Sequence, residues 1–140
     1  MATITNIEAL SAAQALQELA GQRVPFALAL KMRRVSRALR ERLADVEAER
    51  LKLIEEHGKR DAAGELVREN VSADGQHWTH PMEDGAAFAA DYQALMAETF
   101  ACEGFSVEEL KALGEVTARQ LEALGGLLIE DPDGGEGEGE

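Results

Sequence analysis

Between Pro25 and the next acid, Glu41, stand five cations, Lys31, Arg33, Arg34, Arg37 and Arg40. On a helix, Arg33, Arg37 and Arg40 share one face at i, i+4 and i+7, a spacing suited to a phosphate backbone or to an acidic protein surface. The net charge of -13 repels nucleic acid beyond that face. No base-stacking aromatic is interleaved with the cations, so an acidic protein surface is the expected partner. A second cluster is His77-Trp78-Thr79-His80. On a strand, a spacing of three puts the two imidazoles on opposite faces, which argues against a shared metal. Trp78 has two readings: an anchor pinning a hairpin to the helices, or, if exposed, a contact for a partner. Cys102, the single cysteine, lacks a nucleophile signature and is expected to be a small, partly buried residue. Glu55-Glu56 and Glu108-Glu109 are paired only in sequence, and there is no P-loop, GxGxxG or zinc spacing. Neither enzymatic activity nor a metal or cofactor is expected.

The elements that must position these residues are mostly helical. Asn6 is placed as an N-cap for a helix carrying Ile7, Leu10, Ala13, Leu16, Leu19 and Ala20, with Gly21 ending it in a left-handed conformation. Pro25 then suits the first turn of a second helix running to His57, about 50 Å at 1.5 Å per residue. The short link makes the two helices antiparallel neighbours. Leu28, Met32, Val35 and Leu39 form an a/d-like seam, continued by Leu43, Val46, Arg50 and Leu53 after a stutter, and Gly58 stops the helix. Residues 65–71 and 76–80 read as strands around the turn signal Asp74-Gly75.

Pro81 opens another helix, delayed if Asp84-Gly85 intervenes, with Phe88, Tyr92, Leu95 and Met96 as its buried stripe. Residues 99–105 read as an extended segment. Ser106 with Glu109 has capping-box spacing, Gly114 stops that helix, and Thr117 caps a last one. The expected fold is mainly α (α+β): a long antiparallel helical hairpin with a small β-hairpin and short C-terminal helices. One domain over residues 1–130 comprises the helical hairpin (6–57), the β-hairpin (61–80) and the C-terminal helices (81–130). Residues 131–140, Gly and acid apart from Pro132, form a tail expected to be disordered.

Composition narrows the class further. With 140 residues, 45% hydrophobic and 4% aromatic, the core must be built mainly from Leu, Ala, Val and Met. No apolar run approaches the roughly 18 residues of a membrane span, and residues 1–20 lack the pattern of a signal peptide. Synthesis in the cytoplasm and no membrane contact are expected. Charge is unevenly placed: residues 1–60 carry 11 Lys and Arg against 8 acids, whereas residues 61–140 carry 3 against 19. Such a dipolar chain favours contact between its basic helix and an acidic surface, within one chain or between copies, although exposed charge that only aids solubility fits equally.

The order of segments resembles a family of small uncharacterised proteins encoded by tailed phages and prophages. The resemblance rests on Arg23-Val24-Pro25 opening a helix through Leu28-Ala29-Leu30-Lys31, on residues 47–58 (EAERLKLIEEHG), and on Lys59-Arg60-Asp61 leading to Gly64-Glu65-Leu66. It continues through Pro81-Met82-Glu83 to Phe88 and through residues 117–129 (TARQLEALGGLLI). The basic stretch 33–40 and the His77–His80 cluster depart from the family pattern. The resemblance implies a phage or prophage context with no catalytic residues to transfer, and there a small acidic helical protein is most often a virion component, an assembly factor or an inhibitor of a host system. The expected function is therefore non-enzymatic, through contacts with other virion proteins or as a homo-oligomer, in the host cytoplasm or the virion. Its expected binding residues are Lys31, Arg33, Arg34, Arg37, Arg40 and Trp78. The alternatives are a nucleic-acid-associated regulator using the basic face, or an acidic inhibitor of a host protein.

Overall fold

The computed structural model describes residues 1–129, so the acidic tail expected at 131–140 lies outside the described residues. Mainly helical with two small antiparallel sheets, the chain runs β1 (Ala2–Thr5), α1 (Asn6–Leu19), α2 (Phe26–His57), β2 (Glu69–Asn70), β3 (Trp78–Thr79), α3 (Gly85–Ala97), β4 (Thr99–Cys102), α4 (Val107–Lys111), α5 (Ala118–Leu124) and a 3₁₀ turn over Gly125–Leu127. Where the sequence reads as one domain, contacts group the residues into two compact units. Unit 1 is Met1–Ala44 with the described part of Glu98–Glu140, and unit 2 is Asp45–Ala97.

Unit 1 begins with a strand that the sequence reading omits. β1 pairs antiparallel with β4, Ala2 opposite Cys102 and Thr5 opposite Thr99. This moves the first helix cap by one residue: Thr5, not Asn6, is the N-cap, accepting from the Glu8 N–H while the Glu8 carboxylate accepts from the Thr5 N–H. Asn6 is instead fully buried. The buried face of α1 also differs from the expected stripe, because Ala9, Ala12, Ala15, Leu16 and Leu19 go inside while Ile7 and Leu10 are exposed. Alanines let neighbouring backbones approach closely, and α1 packs its small-residue face against α5 and the 3₁₀ turn. Gly21 does not take the left-handed conformation assigned to it; among the described residues only Gly64, Gly75 and Gly114 have positive φ.

The α2 seam is as expected, with Leu28, Met32, Val35 and Leu39 all buried in the unit 1 core beside Ile4, Phe105, Leu113, Leu124 and Leu127. α1 and this part of α2 form an antiparallel hairpin: a short link joins Leu19 to Phe26, and at the far end Asn6 bonds Arg42 at 2.8 Å. The capping box Ser106/Glu109 forms as read from the sequence, and Thr117 caps α5 as expected, with Gln120 completing a second box. Phe105 closes the unit, donating its N–H to Leu127 at 2.8 Å and accepting from Ile129 at 2.9 Å.

In unit 2, Val46, Leu95 and Met96 form a small core with half-buried Leu53 and Tyr92. Asp84 delays α3 to Gly85, its side chain accepting from the Ala87 N–H at 3.1 Å. The expected strands shorten to two residues each, Glu69 opposite Thr79 and Asn70 opposite Trp78. Gly75, at φ +74°, makes the turn between them, as Asp74-Gly75 predicts. The end of α2 is tied back by a bridge between Gly58 and Met82 and by the Glu83 N–H donating to the His57 carbonyl at 2.8 Å.

A candidate protein-binding groove

Within unit 1, about 3.6 residues per turn puts Lys31, Arg34 and Arg42 on one flank of the buried stripe of α2, Arg33 and Arg40 toward the other side, and Arg37 on the face opposite the stripe. The first flank is used internally. Lys31 Nζ donates to Glu109 Oε1 at 2.8 Å and lies 5.4 Å from the centre of the Phe105 ring. Arg34 makes a two-pronged bond to Glu103 at 3.0 and 3.3 Å, the geometry in which guanidinium and carboxylate fit best. Arg42 bonds Asn6, approaches Glu98 at 3.8 Å and covers the Phe100 ring at 4.8 Å.

These contacts also show in the acids. The hydrogen bond from Arg34 holds Glu103 below the usual carboxylate range. Burial works to raise Glu109, yet the bonds from Lys31 and from Ser106 outweigh it and leave its carboxyl lowered. The expected attraction between the basic helix and acids of the other half is thus realised within one chain, and among the described residues only by the cations of this flank.

Arg33, Arg37 and Arg40 are exposed and make no ion pair or hydrogen bond among the described residues. Between α1 and α2, on the side of Arg33 and Arg40, lies an open groove of about 890 Å³. Leu10, Ala13, Leu16, Ala29, Met32 and Leu43 give it an apolar lining, and its polar part comprises Gln14, Gln17, Gln22, Ser36, Arg33 and Arg40. Leu10 is 47% exposed, a consequence of α1 turning its alanines inward. An apolar floor with unpaired cations beside it is chemically suited to an amphipathic helix whose flanks carry carboxylates.

The other singled-out residues are dispersed. In unit 2, Trp78 is 53% exposed and stacks under the Arg68 guanidinium at 4.9 Å, so it is not a core anchor. His77 lies 3.6 Å from Asp74, whereas His80 Nδ1 is bonded to the Val67 carbonyl at 3.0 Å, and the two imidazoles serve separate contacts. Cys102 in unit 1 is buried, and burial, with the nearby Glu103 charge, pushes its thiol up and away from the reactive thiolate. Glu55 pairs with Arg60 and Glu108 with Lys111, which gives neither acid pair a joint role.

The groove is not legible in the sequence because Leu10 reads as core, and Arg42 escapes notice because it follows Glu41 and falls outside the cation run. No helix among the described residues is long and apolar enough to cross a membrane. No protein-family model, no curated protein and no solved structure matches this chain.

Proposed function

We propose that the chain works as a non-enzymatic binding protein that holds an acidic amphipathic helix of a partner protein in the groove between α1 and α2, as an assembly or structural component in a phage or prophage setting. The single observation that carries this reading is the division of the α2 cations. Lys31 and Arg34 are neutralised by Glu109 and Glu103, while Arg33 and Arg40 on the same helix line the groove beside its apolar floor without an ion pair among the described residues, and Arg37 stands exposed between them along the helix. A helix inserted there would bury its apolar stripe on Leu10, Met32 and Leu43 and set carboxylates against the arginines, combining area with electrostatic selection. The phage setting follows from the segment resemblance, and the six expected contact residues divide accordingly: Arg33 and Arg40 bind at the groove with Arg37 adding charge from the neighbouring helix face, Lys31 and Arg34 shape unit 1, and Trp78 offers a separate contact on the β2–β3 hairpin.

Site-directed photo-crosslinking tests this. With a photoreactive amino acid at Ser36, inside the groove, and a control at Glu49, irradiation of cells carrying the encoding phage or prophage should give a discrete protein adduct at position 36 alone. The crosslinked peptide should be helical in pattern and acidic, and Arg33, Arg37 and Arg40 all changed to Glu should abolish the adduct. An adduct sensitive to nuclease would replace this reading with a nucleic-acid one. A crosslink to a second copy would make the groove a self-association surface, and no adduct at all would reject it.

A further inference from the structure

We propose that Glu56, His57 and Asp91 form a binding site for one divalent transition-metal ion of the zinc type at the C-terminal end of α2. All three belong to unit 2, and the site is independent of the groove. Their donor atoms, one from each side chain, lie within 4.8 Å of one another. His57 Nε2 is 2.7 Å from Asp91 Oδ2 and 4.0 Å from Glu56 Oε1. Ligands at roughly 2.0–2.2 Å from a tetrahedral ion stand roughly 3.3 Å apart, between those two separations. Asp91 therefore recedes slightly and Glu56 approaches, movements open to carboxylates that are 50% and 66% exposed.

The imidazole is held in place. Its ring meets Phe88 edge-on at 6.4 Å, and Phe88 stacks on Tyr92 at 5.9 Å, so α3 fixes the ring with the same turn that presents Asp91. The His57 backbone is pinned by the bond from Glu83. A hydrogen bond accounts for His57 and Asp91 alone. It does not account for Glu56, whose Oε1 lies 4.0 Å from the same nitrogen, and among the described residues neither carboxylate has a Lys or Arg partner. The negative end of a 32-residue helix adds to this uncompensated charge. Two carboxylates with an imidazole nitrogen suit zinc, cobalt or nickel, whereas magnesium and calcium take oxygen ligands. Three protein ligands leave a fourth position for water.

The test is calorimetric titration of the chelator-treated full chain with zinc chloride alone, in a buffer that does not bind zinc. One site per chain with micromolar or tighter affinity is expected, with no response to magnesium at the same concentrations. Asp91→Asn and His57→Ala should each weaken zinc binding at least about tenfold, while His77→Ala leaves it unchanged. Cobalt should give the visible absorption of a low-symmetry site and lose it in Asp91→Asn. Asp91 is half exposed, so this variant keeps a folded protein to test even if His57→Ala does not, and circular dichroism verifies it. Absence of saturable zinc binding, binding unchanged in folded Asp91→Asn, or binding lost on His77→Ala would each overturn the assignment.

Discussion

Arg42 donates from Nε to Oδ1 of Asn6 at 2.8 Å, placing a guanidinium against the buried polar side chain at the start of α1. Buried amides are retained only where their hydrogen bonds are made, and here the donor is charged. Arg42→Met should therefore cost about 1.5–3 kcal/mol of stability. Urea unfolding with an unchanged slope measures it. The double variant Asn6→Ala/Arg42→Met should be less destabilised than the sum of the singles, since both remove one shared bond.

Acid should loosen unit 1. Glu103 and Glu109 have folded-state pKa values below their ordinary ones, so their contribution is present above the unfolded carboxylate value and is lost as pH falls through the lower folded values. Urea midpoints should decline between about pH 5 and pH 3. The variant with Gln at both positions should start lower at neutral pH and decline less over the same window.

Two glycines should respond oppositely to alanine. A Cβ at Gly104 would lie 2.5 Å from the Leu127 carbonyl oxygen and 2.6 Å from Ile129 Cγ2, against the segment that closes unit 1. Gly104→Ala should destabilise by about 1–3 kcal/mol through this overpacking. At Gly85, in the first turn of α3, no atom lies within 4 Å of such a Cβ. Gly85→Ala should raise stability by about 0.4–1 kcal/mol, because it restricts mainly the unfolded chain. Thermal melts of the two variants side by side decide both.

Trp78 should report from the surface. It is the only tryptophan, so emission of the folded protein should resemble that of a solvent-exposed indole. Trp78→Ala should change stability by no more than about 0.5 kcal/mol. Arg68→Ala should alter the emission without unfolding the chain, as it removes the cation over the ring.

What can be read from the sequence is what depends on near neighbours. Ser106 with Glu109 and Thr117 with Gln120 cap their helices because each bond spans three residues. The seam Leu28, Met32, Val35 and Leu39 is legible because one helix stripe contains it. Thr5 and Asn6 are both good caps, and the deciding signal was present, since Glu8 stands three residues after Thr5. β1 is hidden because its partner lies far along the chain at Thr99–Cys102, and no local pattern records such a pairing. For the candidate groove, the helical spacing of Arg33, Arg37 and Arg40 identifies their common face, but their lack of partners depends on where Glu103 and Glu109 fall in three dimensions. The inward turn of Ala9, Ala12 and Ala15 is equally silent, because small residues signal little hydrophobicity until α5 packs on them.

The β1–β4 pairing sets an order on biosynthesis. Unit 2 is one uninterrupted segment, whereas unit 1 is assembled from residues on both sides of it. As the chain leaves the ribosome, Ile4, Leu16 and Leu19 emerge early, but Phe105, Leu124 and Leu127, which share their core, are translated only after all of Asp45–Ala97. The earliest-made apolar residues thus have only the α2 part of their cover while the intervening segment completes its own short-range contacts, an interval in which a nascent chain is open to chaperones and to misassociation.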